Sequence, residues 1–158
     1  MRGPFALRRD GQLDVTLTPV EADLFRSVVE QMTQVLDDPP ARLFPPAYKD
    51  DPEAQAEYAR LMTEDLKDGK RRAIASVQTT LERGKPKRDA WRVTLTADEA
   101  QDWLAVLNDA RLALGTRLAV TEDSYERDLD PADPDAAAHE VFRYLGYLED
   151  FLVHTLMG

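Results

Sequence analysis

The stretch VTLTPVEAD, residues 15–23, reads as the end of a strand that runs directly into a helix. Val15 and Leu17 alternate with polar neighbours, which is the period of a β-strand. Thr18 can cap a helix, because Glu21 stands three residues later and completes the pattern of a capping box. The stretch therefore predicts a strand-to-helix junction at Thr18.

A similar pattern, VTLTADEAQ, occupies residues 93–101, where Thr96 and Glu99 repeat the capping box. Two explanations are open. Strand-to-helix junctions reuse the same capping residues, so the likeness is convergence; alternatively, the chain holds two related β–α units whose strands lie side by side. Both explanations predict that a strand over 92–96 joins the N-terminal strands, because an isolated two-stranded hairpin is only marginally stable.

Outward from the first junction, residues 5–17 predict a β-hairpin. Apolar residues alternate with polar ones on either side of Asp10-Gly11, the pair that favours a type I′ turn. Residues 84–89 predict a basic turn ahead of the strand over 92–96.

A long helix is predicted between these two strand regions. Asp51 and Pro52 form a start signal, and apolar residues then continue in helical register through Leu81. The pattern predicts one helix over 52–83, about 48 Å long. An interruption at Gly69 is the alternative, because glycine is unfavourable inside a helix.

The last helix is predicted to begin at Pro134, with Asp133 as its cap, and to run to the end of the apolar stretch. Its apolar residues cover more of the circumference than the ~100° stripe of a surface helix. The helix is therefore either central in its own domain or covered by a second copy in a symmetric dimer. In a dimer, Tyr147 and Phe151 are predicted at the interface, since aromatic residues are enriched there.

With 158 residues, the chain is predicted to form a single domain over 1–158. The predicted fold is mainly α. Four to five helices surround one core, and the N-terminal hairpin forms a small antiparallel sheet with the strand near 92–96.

The composition excludes several chemistries. The chain has no cysteine, which removes thiolate nucleophiles, disulfides and iron–sulfur clusters. His139 and His154 lie ~22 Å apart on one helix and cannot share a metal ion. No glycine-rich phosphate loop is present. We therefore expect no catalytic, cofactor or metal site, and no enzymatic activity.

The sequence also carries expectations about location. The N-terminal residues lack the apolar run of a secretory signal, and no stretch approaches ~18 consecutive apolar residues. We expect a cytoplasmic protein that does not enter membranes.

Charge is distributed unevenly along the chain. The formal net charge is −10, yet the segment 67–92 holds nine cations and three acids. Six of these cations are candidate interaction residues: Lys70, Arg71, Arg72, Lys85, Lys87 and Arg88. Three interpretations are open: a solvated face that complements the acidic 121–135 stretch, a site for an acidic protein, or a nucleic-acid site. The net negative charge disfavours nucleic acid.

One cation lies inside an apolar register. Five positions step by three and four along the third helix: Leu104, Leu107, Arg111, Leu114 and Leu118. A half-buried cation needs a carboxylate or carbonyl groups, so Arg111 is predicted in a structural ion pair between helices. The alternative is a ligand-anchoring arginine. It belongs to a rival function, a small-molecule-binding protein or enzyme with a pocket near Arg111 and the 42–48 loop.

Three segments resemble an actinobacterial family: RLFPPAYKDDPEA at 42–54, LNDARLALGTRLAVTEDSYE at 107–126, and DPADP at 130–134. The family is AosR-type, labelled an oxidative-stress transcription regulator and long filed as a domain of unknown function. The resemblance covers nearly the whole chain in order. It implies a cytoplasmic, non-enzymatic regulator that acts through protein partners of the transcription machinery. A frequent gene neighbour, the Clp protease adaptor, implies a link to proteolysis.

The resemblance also implies thiol-based redox sensing, and this chain has no cysteine to perform it. The fold therefore carries over from the family, whereas the sensing mechanism does not. The leading hypothesis is a regulatory interaction protein, and DNA binding through 67–92 is a second alternative besides the ligand-binding one.

Overall fold

A computed structural model of the chain describes residues 3–36, 50–118 and 134–158, and of residues 59–63 it describes the backbone alone. The 42–48 loop of the rival function and most of the acidic 121–135 stretch lie outside these ranges.

The predicted mainly α fold with a small antiparallel sheet is confirmed. The elements follow in chain order: β1 Phe5–Leu7, β2 Leu13–Leu17, α1 Pro19–Val35, α2 Pro52–Arg83, β3 Lys85–Lys87, β4 Ala90–Leu95, α3 Ala97–Arg117 and α4 Ala136–Met157. The sheet has the strand order β1-β2-β4-β3, and every pairing is antiparallel. The strand predicted near 92–96 thus joins the N-terminal hairpin, as both explanations of the repeat require.

Strand β3 was not predicted and replaces most of the expected basic turn. It pairs with β4 across a two-residue turn at Arg88-Asp89, where Arg88 has a φ of 59°. Lysine and proline have low strand propensity, so the segment reads as a turn when it is taken alone. Its pairing with β4 makes it a strand.

The turn of the first hairpin also differs from the predicted type I′. Gly11 has a φ of 86°, whereas Asp10 is not in the positive-φ region that type I′ requires at both central residues. The Gly11 amide donates to the Arg8 carbonyl at 3.1 Å, and the Arg8 amide donates to the Gln12 carbonyl at 2.8 Å. The turn is therefore a three-residue loop that ends in a glycine bulge.

The two strand-to-helix junctions are related by an approximate two-fold axis. Val15 pairs with Val93, the residue 78 positions later, which is its equivalent in the second unit. Leu13 pairs with Leu95, and their equivalents, Trp91 and Leu17, pair with each other in the same way. Both helices begin with a complete, reciprocally hydrogen-bonded capping box. The two β-β-α units lie side by side, which is the arrangement that the second explanation of the repeat describes.

The core between the units is centred on an aromatic pair from equivalent positions. Phe25 of α1 and Trp103 of α3 are also 78 residues apart, and their rings stack at 4.7 Å with 10° between the planes. Trp103 is fully buried, and its indole N–H donates to Thr80 Oγ1 of α2 at 2.8 Å. One buried cluster thus ties the sheet, α1, α2 and α3 together.

Two helix predictions have different outcomes. Helix α2 runs through Gly69 without a break, as predicted. Helix α4 begins at Ala136 rather than at Pro134, and its N-cap is Asp135, which makes no side-chain capping hydrogen bond. The predicted cap, Asp133, lies outside the described residues.

Candidate functional site

The outer face of the sheet carries exposed basic side chains. Along β4, Trp91, Val93 and Leu95 are buried on the inner face, while Arg92 between them is exposed. Lys85 of β3 lies directly opposite Arg92, so it is on the same face.

A groove of about 700 Å³ lies over this outer face. We call the surface the basic sheet face and define it by six lining residues: Arg8, Thr16, Lys85, Lys87, Arg92 and Thr94. They come from three of the four strands and from the β1–β2 turn, so the sheet register assembles them.

Two arginines around the groove are neutralised by carboxylates of the chain itself. Arg8 lies 3.2 Å from Asp10 and 3.8 Å from Asp14. Arg83, at the rim, makes two parallel hydrogen bonds to Glu99, of 2.8 and 2.9 Å. These two arginines therefore already have carboxylate partners within the chain.

The other three cations of the basic sheet face are not compensated in this way. Lys85, Lys87 and Arg92 have no carboxylate within 4.0 Å among the described residues. Lys85 and Arg92 are also directly opposite each other, and like charges in such cross-strand positions are destabilising. The face thus holds a positive charge that the described part of the fold does not balance.

The contact between Arg83 and Glu99 makes stability dependent on pH. The hydrogen bonds from Arg83 lower the pKa of Glu99 from 4.5 to about 2, with help from the Thr96 cap. A carboxyl group with a lowered folded pKa stabilises the fold fully above its unfolded pKa, and this contribution is lost as pH falls through the folded pKa.

We therefore expect the thermal unfolding midpoint of the wild type to fall between pH 4.5 and about 2. In Arg83→Gln the pKa of Glu99 returns towards its ordinary value, so the midpoint should fall less steeply over the same window. Circular dichroism melts of both proteins along a pH series measure this difference. Equal pH dependence in the two proteins would show that the Arg83 contact does not set the Glu99 pKa.

The structure does not bring all the candidate cations together. Lys70, Arg71 and Arg72 lie on α2 about 20 Å before Arg83. Lys70 Nζ is 2.8 Å from Asp109 Oδ2 in a partly buried pair with α3, and Arg71 is 3.2 Å from Asp68. The basic segment of the sequence therefore separates into cations on α2 and cations on the sheet. Of these two groups, only the sheet group, Lys85, Lys87 and Arg92, contributes to the basic sheet face.

Arg88 does not contribute to the basic sheet face. It is exposed in the turn between β3 and β4 and is not among the residues that line the groove. Sequence reasoning did not single out Arg8, Thr16, Arg92 or Thr94 as site residues. Only the pairing of β4 with β2 and β3 brings them beside Lys85 and Lys87. The alternation of Arg92 and Thr94 with apolar neighbours is a signal that could have placed Arg92 on the outer face of a strand, although it was used only to predict the strand itself.

The structure places Arg111 beside Glu149 of α4, with Nη1 3.1 Å from Oε1. The guanidinium also lies 5.6 Å from the centre of the Phe142 ring. The Arg111 side chain is 27% exposed and that of Glu149 is 11% exposed. An apolar groove of about 190 Å³ lies nearby between α1, α3 and α4, and Arg111 is not among its lining residues.

The two aromatic residues predicted at a dimer interface have different environments. The Phe151 ring covers Gly3, so closely that a Cβ there would lie 1.9 Å from it, and packs 6.3 Å from Phe5. Tyr147 is 50% exposed and lies beside Phe151 and Tyr144. Phe151 thus packs against residues of its own chain, and Tyr147 is the one of the two whose side chain is exposed.

Tyr144 connects α4 to the first capping box. Its hydroxyl donates to Glu21 Oε2, while Glu21 Oε1 accepts from the Thr18 amide. Burial and the neighbouring carboxylate raise the pKa of Tyr144 far above its ordinary value. Burial alone would raise the pKa of Glu21, but the hydrogen bonds from Tyr144 and Thr18 outweigh it, so this pKa is lowered. The pair therefore fastens α4 to the start of α1.

Self-association through Tyr147 remains a prediction. If this residue is at a dimer interface, Tyr147→Glu should convert a dimer into a folded monomer, because a charge would be buried at the contact. Sedimentation analysis of the wild type and this variant tests it, and Tyr147 is the better target because Phe151→Glu would also damage packing on Phe5. A wild type that is monomeric at high micromolar concentration contradicts the prediction.

Two other observations concern the described residues. No group of three or more metal-binding side chains lies close enough together there to hold an ion. None of the helices in the described ranges is both long enough and apolar enough to cross a membrane.

Comparison with known proteins identifies relatives. Residues 1–156 match the family model described as "Domain of unknown function (DUF2017)". A Mycobacterium tuberculosis protein named "Oxidative stress regulator AosR" is 42% identical over 67 residues, which cover 42% of this chain and 30% of that protein. A Mycobacterium leprae protein named "Putative oxidative stress regulator AosR" is 33% identical over 131 residues, 74% of this chain and 57% of that protein.

The chain thus spans less than two thirds of the length of either relative. No solved structure matches the chain.

Proposed function

The chain belongs to the DUF2017 family, and from this premise we propose that it is a cytoplasmic regulator in the oxidative stress response that binds a partner protein and performs no catalysis. The names of the two mycobacterial relatives support the regulatory role. As the resemblance implies, the partner belongs to the transcription machinery or to proteolysis.

The observation that carries the binding role is the basic sheet face. Lys85, Lys87 and Arg92 are exposed and close together, and the described residues offer them no carboxylate. A sheet surface with an unbalanced charge is suited to recognition, because complementary charge steers and orients a partner. We therefore place the partner site here.

The absence of cysteine shapes the rest of the proposal. These 158 residues contain no thiol, so they cannot sense oxidants by thiol chemistry. We assign the sensing step to the partner or to another component, and the binding step to this chain.

The test is complementation in a host strain from which the gene is deleted. Wild-type protein should restore the transcript changes that follow peroxide treatment, and Lys85→Gln, Lys87→Gln, Arg92→Gln should not. The matched control is Lys67→Gln, Arg71→Gln, Arg72→Gln, which removes the same charge from α2, away from the basic sheet face, and should complement. Lys67 replaces Lys70 in this control because Lys70 is in a partly buried ion pair with Asp109. If deletion leaves the peroxide response unchanged, the regulatory role is wrong.

A further inference from the structure

We propose that the basic sheet face binds an acidic segment of the partner in an extended conformation, with carboxylates of the segment against Lys85, Lys87 and Arg92. The inference rests on the proposed function, because it names the chemistry that the partner presents to that site.

The spacing of the cations fits an extended acidic peptide. Lys85 and Lys87 are alternate residues of β3, so their Cβ atoms point to the same face about 7 Å apart. Carboxylates at alternate positions of an extended peptide repeat with the same spacing. Arg92, opposite Lys85, adds a planar guanidinium that can bind a carboxylate through two hydrogen bonds.

Charge complementarity identifies an anion as the occupant. Arg8 and Arg83 already contact carboxylates of the chain, whereas Lys85, Lys87 and Arg92 do not. A bound carboxylate between Lys85 and Arg92 would relieve their mutual repulsion, which the free protein retains. The three uncompensated cations are therefore the part of the groove that gains most from an anionic ligand.

An acidic peptide fits the groove better than a nucleic acid does. None of the groove's lining residues in the described part of the chain is aromatic, so the face offers no platform on which bases could stack. Asp14 also lines the groove, and its Oδ1 accepts a hydrogen bond from Thr94 at 2.9 Å. The net charge of −10 repels a dense polyanion more strongly than a short acidic segment.

The segment binds across the face and does not extend the sheet beside β3. Lys87 and Ala90 flank the two-residue turn and are a hydrogen-bonded pair of the ladder. Hydrogen-bonded and non-hydrogen-bonded pairs alternate along antiparallel strands, so the next residue, Pro86, has its backbone nitrogen at the free edge of β3. Proline has no N–H, and an incoming strand would find no donor there. The segment is therefore bound by the side chains on the face and not by the backbone of β3.

The experiment measures binding of a fluorescein-labelled peptide in which Glu and Thr alternate, by fluorescence anisotropy with the full chain. We expect binding that weakens as salt is raised, and no binding of the matched peptide in which Gln replaces Glu. Lys85→Gln, Lys87→Gln, Arg92→Gln should weaken binding at least tenfold, while the α2 control Lys67→Gln, Arg71→Gln, Arg72→Gln should stay within about twofold.

Thermal melts of both variants separate binding from folding. Because the Lys85–Arg92 pair is repulsive, the sheet-face variant should unfold at the same temperature as the wild type or higher. A loss of binding together with a lowered unfolding temperature would count against the proposal, since misfolding would then explain the loss.

Three outcomes would overturn the inference. Equal loss of binding in the α2 control would show that only net charge matters. A single-stranded oligonucleotide that displaces the peptide and depends on the same three cations would reassign the face to nucleic acid. Self-association that the sheet-face variant abolishes would reassign it to a second copy of the chain.

The peptide assay and the complementation test fail independently. If the sheet-face variant cannot complement and yet the wild type does not bind the peptide, the partner site stands and the acidic segment is wrong. If the peptide binds as expected but the variant complements fully, the face is an acidic-peptide site that the regulatory function does not use.

Discussion

Replacing Trp103 with alanine should lower the free energy of unfolding by about 3–5 kcal/mol, the range measured when large aromatic residues are removed from protein cores. Trp103 is fully buried, stacks on Phe25, and makes an edge contact with Phe5 of β1 at 6.3 Å. Alanine leaves a cavity where the two β-β-α units meet, and packed helices can close it only in part. Urea unfolding gives the free energy directly.

Two further variants show which part of Trp103 matters. Trp103→Phe keeps a ring against Phe25 but removes the N–H that donates to Thr80, and we expect a smaller loss of about 1–3 kcal/mol. Gln101→Ala, at an exposed position of the same helix, should stay within about 0.5 kcal/mol of the wild type. A loss below about 1 kcal/mol for Trp103→Ala would show that the aromatic pair does not hold the units together.

The local parts of the fold could be predicted because their signals lie within a few residues. Thr18 and Thr96 each begin a helix, and the glutamate three residues later completes the cap in both cases. Gly69 did not interrupt α2, and the buried apolar residues that the structure describes in this helix, Ile74, Val77 and Leu81, all follow it. One glycine costs only about 1 kcal/mol relative to alanine inside a helix, which is too little to end it by itself.

The candidate site was harder to predict because it depends on which strands pair. The sequence analysis grouped the cations by their nearness along the chain, in the segment 67–92. The structure regroups them: Lys70 pairs with Asp109 on another helix, and Lys85 meets Arg92 across a strand pair. A Lys-Pro-Lys segment has no strand signal of its own, so neither β3 nor the basic sheet face could be derived from local pattern.

Removal of the Arg111 side chain is expected to have the second large effect on stability. Arg111→Ala should cost about 3 kcal/mol, at the lower end of the range of ~3–5 kcal/mol for breaking a buried ion pair, because the arginine is 27% exposed. Alanine leaves the carboxylate of Glu149 buried between α3 and α4 without its cation. Glu149 Oε2 already has no hydrogen-bond partner among the described residues, so the uncompensated charge is costly.

A set of matched variants distinguishes the ion pair from simple loss of packing. Arg111→Lys keeps the charge but loses the planar guanidinium beside the Phe142 ring, so it should recover only part of the stability. The double variant Arg111→Leu, Glu149→Leu removes both charges and should be more stable than Arg111→Ala, because no buried charge is left alone. Urea unfolding of the three proteins gives the comparison. If Arg111→Ala lies within about 0.5 kcal/mol of the wild type, the contact with Glu149 adds nothing to the packing of α3 against α4.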